Sequence, residues 1–363
     1  MKKRLVSLVA LLFLVVGISF SQDSVNVSNP SPVFYSVIVN NVPDEFNYPL
    51  IGIINNVNGN HKSVQIGVVN STLRTFKGFQ AAIINSIGDD FYGLQNGWFN
   101  SIGRNAYGVE CGFINTVGNE MLGVQCGFVN TSKCLKGLQD GFINSVGRNA
   151  IGMQNGFINS VGEEFIGLQN GFVNCAISTV GVQNGFINST KILNGLQLGF
   201  INSVDTLQSG VAIGFLSFVK HGGFHAIELS TNENYLLNLS YKIGTKGFYS
   251  FPVLSYNPHL SDKFAIGFGF GSNLQVANRL FLNPELSSSF AISNNYREIT
   301  SFNFSIGYML NNQLDILAGP TSTWTRSITS TQINHDTSWI FDYNFDFKND
   351  FGLGFKCALR YTL

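Results

Sequence analysis

Two hydrophobic patterns divide the chain. Between about residues 50 and 217 one short unit recurs: Gly, an apolar residue, Gln, any residue, Gly, Phe, Ile or Val, Asn, Ser or Thr, then a variable link. Clear copies begin at Gly93, Gly108, Gly123, Gly137, Gly152, Gly167, Gly181 and Gly195. Their aligned asparagines are Asn100, Asn115, Asn130, Asn144, Asn159, Asn174, Asn188 and Asn202. Weaker copies place Asn55, Asn70 and Asn85 in the same phase, and a decayed copy closes the array near Ser217. The steps are 15 or 14 residues throughout, a phase that chance does not keep. After about residue 220 this phase disappears and strict alternation of apolar and polar positions replaces it.

A unit of this length is too short for a helix pair of about 34 residues or a propeller blade of about 40. It fits one coil of a small β-solenoid, stacked about 4.8 Å from the next. Glycines at the first and fifth positions allow sharp bends. A third glycine (Gly88, Gly103, Gly118, Gly147, Gly162) precedes polar pairs such as Arg104-Asn105 and Glu163-Glu164, as in a solvent-exposed turn. Apolar positions two, six and seven, for example Leu168, Phe172 and Val173, are expected to supply the core. Gln95, Gln125, Gln139, Gln154, Gln169, Gln183 and Gln197 form a column broken only by Glu110. Stacked amides can donate to one neighbour and accept from the other, which satisfies polar groups inside the coils. The charge on Glu110 predicts that part of this column faces water, where the amides would be open to a ligand. A meander of hairpins, one per repeat, is the competing arrangement. The repeats do not read as strands of a membrane barrel. Along Ile166–Asn174 neither alternating set is uniformly apolar.

The last third predicts antiparallel strands of about nine to thirteen residues. Phe302, Phe304, Ile306, Tyr308 and Leu310 alternate with Ser301, Asn303, Ser305, Gly307 and Met309. Leu237, Leu239 and Tyr241 alternate with Asn238, Ser240 and Lys242. Phe264, Ile266, Phe268 and Phe270 alternate with Ala265, Gly267, Gly269 and Gly271. The final strand sets Phe351, Leu353, Phe355, Cys357, Leu359, Tyr361 and Leu363 against Gly352, Gly354, Lys356, Ala358, Arg360 and Thr362. Eight to ten such strands fit between residues 223 and 363. Their length suits a tilted crossing of a bilayer. A membrane barrel turns the apolar set to lipid, whereas a soluble lipocalin-like barrel or a sandwich turns it inward. An even strand number puts both ends of a barrel on one side.

The start of the chain adds a location. Lys2, Lys3 and Arg4, the apolar run Leu5–Val16 and the small-x-small pattern Ser19-Phe20-Ser21 before Gln22 read as a secretory signal peptide. The apolar run falls short of the roughly 20 residues of a membrane helix. No later run reaches that length, so membrane residence requires a barrel.

Composition narrows function further. Charged residues are 12% of the chain, Lys+Arg and Asp+Glu are both 21, and there are 39 Gly and 33 Phe. A neutral chain has no global attraction for nucleic acid, and so little charge with so much Phe argues against disorder. Candidate chemistry is sparse. His221 and His225 are four apart, but Gly222 and Gly223 lie between them and helix is not expected, so they read as an interdomain turn rather than a metal site. The glycines at 267, 269 and 271 mimic part of a dinucleotide loop but sit in a strand, as inward barrel positions. Asp342 and Asp346 share a polar strand face, where pairing with Lys356 or Arg360 is preferred over paired-carboxylate catalysis. Of the five Cys, Cys111 and Cys126 occupy one repeat position a coil apart, within disulfide reach, so a bridge and two free thiols are both open. Catalytic, cofactor-binding and metal-binding residues: none is assigned.

The Gly-apolar-Gln-x-Gly-apolar-apolar-Asn units resemble those of bacterial surface-repeat proteins known best from spirochaetes. The resemblance covers roughly residues 50–217 and implies an envelope protein without catalytic residues. The Gln-x-Gly-x-x-Asn core is also similar to curli-type amyloid repeats, which are longer and differ at the other marker positions. The terminal strand resembles the assembly signal of outer-membrane barrels, with Leu363 where those mostly carry an aromatic residue.

The expected fold is therefore all-β: a signal peptide (1–21), a lead segment (22–50), a short-coil solenoid (51–218) and a C-terminal antiparallel β-barrel-like domain (223–363). The expected role is non-enzymatic. The chain would be an exported protein of the outer membrane or cell surface, its repeats a binding or scaffold surface for a protein or glycan. Outer-membrane lipid is the expected partner and nucleic acid is not. The periplasm is the alternative place for the repeats. A soluble exported adhesin or carbohydrate-binding module is the alternative function.

Overall fold

The computed structural model describes residues 35–260, 263–292, 297–327, 340–346 and 349–363. Every element among them is a β-strand. The first sheet is a parallel solenoid whose coils pair identical repeat positions: Gly93 with Gly108, Gln95 with Glu110, Asn100 with Asn115. The hairpin-per-repeat arrangement is excluded by this parallel register. Pairing begins earlier than the repeat suggests, since Val39–Val42 already pairs with Ile54–Val57 and Asn40 is the first rung of the Asn column. The far end is Ser217, whose hydroxyl receives the amide of Asn202 at 3.2 Å.

Each coil has two strand segments joined at a bend. In the coil 91–102 pairing covers Phe91–Gly97 and Phe99–Ile102 and skips Trp98. The bend explains why Gly and Asn recur together. A Cβ on Gly97 would lie 2.4 Å from the carbonyl oxygen of Ala82 and 2.5 Å from Nδ2 of Asn85. That Nδ2 has two hydrogens. One goes to Asn100 Oδ1 at 2.9 Å, the other to the carbonyl of Asn96 at 2.9 Å. Asn thus carries the ladder and also satisfies the backbone at the bend of the next coil. The first-position glycines have positive φ, for example 138° at Gly93 and 145° at Gly108, and pack backbone on backbone across coils.

The core is not where the apolar count places it. Phe172 is 42% exposed, and Leu168 and Val173 are only half-buried. The buried columns are Phe76, Phe91, Ala106, Met121, Leu135, Ala150 and Phe165 on one strand and Ile87, Ile102, Val117, Val146 and Val161 on the other, with the Gln and Asn columns between. The reason is parity. Gln and Asn must both point inward to form ladders. The Phe two positions before Asn sits on the bend, where the skipped pairing leaves it outside.

The second sheet closes into an eight-stranded antiparallel barrel. Its strands are β1 (Phe224–Thr231), β2 (Leu237–Thr245), β3 (Phe248–Tyr256), β4 (Phe264–Gly271), β5 (Leu280–Ala291), β6 (Arg297–Met309), β7 (Leu314–Ser327) and β8 (Asn349–Thr362). Neighbours follow chain order, and β1 pairs with β8 to close the ring. Two short strands lie off it: Leu274–Ala277 pairs with β5, and Phe341–Asp346 extends the wall beside β8. The start of β1, the end of β8 and the tight connections Thr245–Phe248 and Met309–Leu314 share one rim. The longest connection, from Ser327 to Asn349, belongs to the opposite rim.

Candidate functional site

The barrel is polar inside and apolar outside. Glu228, Lys242, Glu285, Asn303, Thr323, Lys356 and Arg360 are buried, while their strand neighbours Ile227, Leu229, Tyr241, Leu286, Phe302, Phe304, Phe355 and Leu359 are exposed. A lipocalin-like barrel has the reverse polarity, and a sandwich has no closed ring. The glycines at 269 and 271 are inward positions as expected. A Cβ there would meet the rings of Phe251 at 2.5 Å and Tyr249 at 2.7 Å.

An ionic plug fills the lumen toward the short-turn rim. Lys356 Nζ lies 2.7 Å from Glu228 Oε1 and 2.6 Å from Glu285 Oε2. Arg360 donates to Glu228 from Nε at 2.8 Å, to Asn283 at 2.8 Å and to Asn273 at 2.9 Å. Lys242 pairs with both carboxylates and stands 4.1 Å from the centre of the Phe251 ring. Tyr249 donates to Glu285 at 2.6 Å. The side chains of Asp342 and Asp346, the carboxylates expected to pair with Lys356 or Arg360, lie outside the described residues; among the described residues both cations meet Glu228 and Glu285. The cations of β8 lie beside Glu228 on the adjacent strand β1, its register partner Arg360 included, and face Glu285 on β5 across the lumen. Beside the plug, a cavity of about 40 Å³ lined by Glu228, Ser240, Ser255, Glu285, Ser301 and Lys356 has room for a few waters. A drug-sized ligand needs several hundred Å³. Small eight-stranded barrels are filled by their own side chains, and this one does not present an open channel among the described residues.

In the solenoid the two amide ladders run in opposite directions. Each Asn donates to the next coil, as Asn144 to Asn159 and Asn159 to Asn174, both at 2.9 Å. Each Gln donates to the previous coil, as Gln139 to Gln125 at 2.7 Å and Gln154 to Gln139 at 2.8 Å. Their side-chain dipoles oppose each other. Glu110 is fully buried in the Gln ladder rather than facing water, so the amide columns are closed to a ligand. It accepts from Gln125 at 3.2 Å, and burial pushes its carboxyl up to about 8.

The exposed apolar feature of the solenoid is the bend. Phe113, Phe128, Phe142, Phe157, Phe172, Phe186, Phe200 and Phe215 stack in one line, with consecutive ring centres 4.9 or 5.0 Å apart and interplanar angles of 7° or less. Phe215 then stacks on Phe268 of the outer barrel wall at 4.2 Å. The ring of His225 is held by the carbonyl of Val219 at 2.6 Å and by Tyr241, away from any pairing with His221. Cys111 and Cys126 are free thiols, half-buried in the column next to the Phe line. Among the described residues no group of three or more His, Cys, Asp or Glu could hold a metal ion.

Sequence reasoning missed Glu228 and Glu285. A charged residue inside an alternating strand was the available signal. Fold and surface together define a protein class: a parallel β-solenoid fused to a closed barrel with inverted polarity. Comparison with protein-family models, curated proteins and solved structures returns no match.

Proposed function

We propose that this chain is a non-enzymatic protein of the bacterial outer membrane, anchored by its barrel and presenting the solenoid as a rigid scaffold or binding surface. The inverted polarity of the barrel carries this reading. A largely apolar exterior around a polar, ion-paired interior is costly in water and suited to lipid. The outward set on β8 runs from Phe351 to Tyr361. Ten residue steps of about 3.3 Å, tilted by about 40°, span about 25 Å, the height of an apolar membrane band. The secretory pattern of residues 1–21 and the terminal alternating strand agree with export to that membrane. The solenoid joins the rim that carries the short turns, which in the usual arrangement faces the periplasm. On this reading the repeats lie on the inner side, as a spacer or docking surface within the envelope. The resemblance to surface-repeat proteins rests on the repeat motif and its spacing.

Membrane fractionation and gel migration of the full chain test this reading. We expect extraction from the membrane pellet only by detergent, and faster migration of the unheated than of the heated protein. Recovery as a soluble monomer without detergent overturns it.

A further inference from the structure

The line of stacked phenylalanines is a ridge on the bend, with the apolar column of Ile158, Val173 and Ile187 on one flank and the amides of Asn155, Asn170 and Asn184 on the other. Charges gather on the other side of the coil. Asp89, Arg104, Glu120, Arg148 and Glu163 all lie at the turns between coils, and two ion pairs, Arg104 with Asp90 at 2.9 Å and Lys136 with Glu120 at 2.7 Å, link successive turns there. Asp140 alone among the described acidic or basic side chains lies one position from the bend glycine. The solenoid is therefore an amphipathic prism, aromatic along one edge and charged along the opposite one.

Two observations point to what covers the aromatic edge. First, the rings cover one another's faces, so the ridge offers ring edges and not flat platforms. A sugar ring needs an aromatic face, whereas an acyl chain needs only apolar area. Second, the line does not end at the solenoid. Phe215 continues it onto Phe268, which belongs to the outward apolar set of β4. Phe268 stands three residues inside the end of β4, about 8 Å up the wall from the rim for a strand tilted by about 40°. The last coil thus meets the barrel at its outer apolar wall, through Phe215 on Phe268.

We propose that the aromatic ridge seats the solenoid on the lipid surface of the membrane that holds the barrel. An edge of this kind, apolar on one side and charged on the other, follows the physics of interfacial segments, whose apolar face sinks about 5–10 Å into the boundary between headgroups and acyl chains. The ridge rests on the membrane reading of the barrel, and its test separates the two.

The test is tryptophan quenching by brominated lipids in proteoliposomes of the full chain. Trp98 occupies the ridge column and is 67% exposed, so the column accepts tryptophan. In a chain with Trp98, Trp324 and Trp339 changed to Phe, three single-tryptophan variants are compared: Phe157→Trp on the ridge, Glu163→Trp at a turn, and a chain with Trp324 restored on the outer wall of β7. The proposal expects blue-shifted, strongly quenched emission for Phe157→Trp and for restored Trp324, and unquenched emission for Glu163→Trp. Quenching at Trp324 without quenching at Phe157→Trp overturns the ridge proposal and leaves the barrel in lipid. Absence of quenching at Trp324 overturns the membrane reading itself. Equal quenching at Phe157→Trp and Glu163→Trp removes the sidedness and overturns the proposal as well. Circular dichroism of each variant against the parent checks that the β fold is kept.

Discussion

Oε1 of Gln95 and Oε1 of Glu110 belong to successive rungs of one buried ladder, and neither has a hydrogen-bond partner. At Gln80 and from Gln125 to Gln183 an amide N–H fills that place, as from Gln95 to Gln80 at 2.7 Å, and the ladder stops at Gln197. One proton on Glu110 would supply the missing donor, and a carboxylic acid has the shape of the amide it replaces. The raised Glu110 carboxyl, about 8 against an ordinary 4.5, keeps that proton at neutral pH. The sign follows. Between about pH 4.5 and 8 the native chain holds a proton that the unfolded chain releases, so stability falls as pH rises through this window, by up to about 1.4 kcal/mol per unit. Glu110→Gln supplies the donor permanently. Its urea midpoint should match the parent near pH 4.5 and exceed it increasingly toward pH 8. An unchanged pH dependence in the variant would refute the neutral-acid rung.

Glycine substitutions separate packing from mere turn preference. A Cβ at Gly156 would sit 2.2 Å from the backbone oxygen of Gly141 and 2.6 Å from Nδ2 of Asn144. Neither atom can retreat without opening the coil spacing. At Gly147 the nearest atom would be 3.7 Å away, because the coil before it is shorter by a residue. Gly156→Ala should therefore cost about 2 kcal/mol or more, in the range of overpacked cores, and Gly147→Ala should be near neutral. Thermal unfolding of the two variants side by side checks the contrast. Equal losses would show that the fifth-position glycine is not set by the Asn ladder.

The same ladder shows what the sequence could and could not convey. The period, the parallel stacking and the role of the amide columns are legible because each repeat writes the same polar residue at the same place. The barrel is legible as alternation, for instance in Phe302, Phe304 and Ile306 against Ser301, Asn303 and Ser305. Orientation was harder. Phe172 counts as core by hydrophobicity alone, yet it stands on a bend whose existence depends on Gly171 and Asn174 one coil out of register with their contacts. Glu110 reads as exposed by charge, and only the direction of the ladder shows that a neutral acid fits. Which carboxylates meet Lys356 and Arg360 is a matter of closure. β8 meets β1 only when the ring is complete, over a separation of 132 residues between Arg360 and Glu228.

Asn159 tests the second function of the Asn column. It donates to Asn174 and to the carbonyl of Asn170 at 2.8 Å, and it accepts from Asn144. Asn159→Ala strands the carbonyl at one bend and an amide at another. At about 1–3 kcal/mol per buried unsatisfied group, the loss should exceed that of removing an ordinary surface hydrogen bond several-fold. Asn159→Asp should be at least as damaging at neutral pH, since it keeps the acceptor, loses both donors and buries a charge. Hydrogen exchange of the coils flanking residue 159 is the measurement. Protection unchanged in both variants would assign the column a lesser part.

Arg360 tests the ionic plug. Its guanidinium is fully buried and joins β8 to Glu228 on the adjacent β1 and, across the lumen, to Asn283 on β5. Glu228→Gln keeps the shape of the side chain but leaves Lys242, Lys356 and Arg360 with one carboxylate, Glu285, instead of two. Breaking a buried pair from one side costs about 3–5 kcal/mol, far more than the pair is worth against an apolar isostere. The double variant Arg360→Met with Glu228→Gln removes a charge of each sign and should recover part of the loss. Folding in detergent or lipid, followed by urea unfolding, gives the two midpoints. Recovery in the double variant identifies stranded charge as the cause. A double variant no better than Glu228→Gln would instead assign the role of Arg360 to its hydrogen bonds with Asn273 and Asn283.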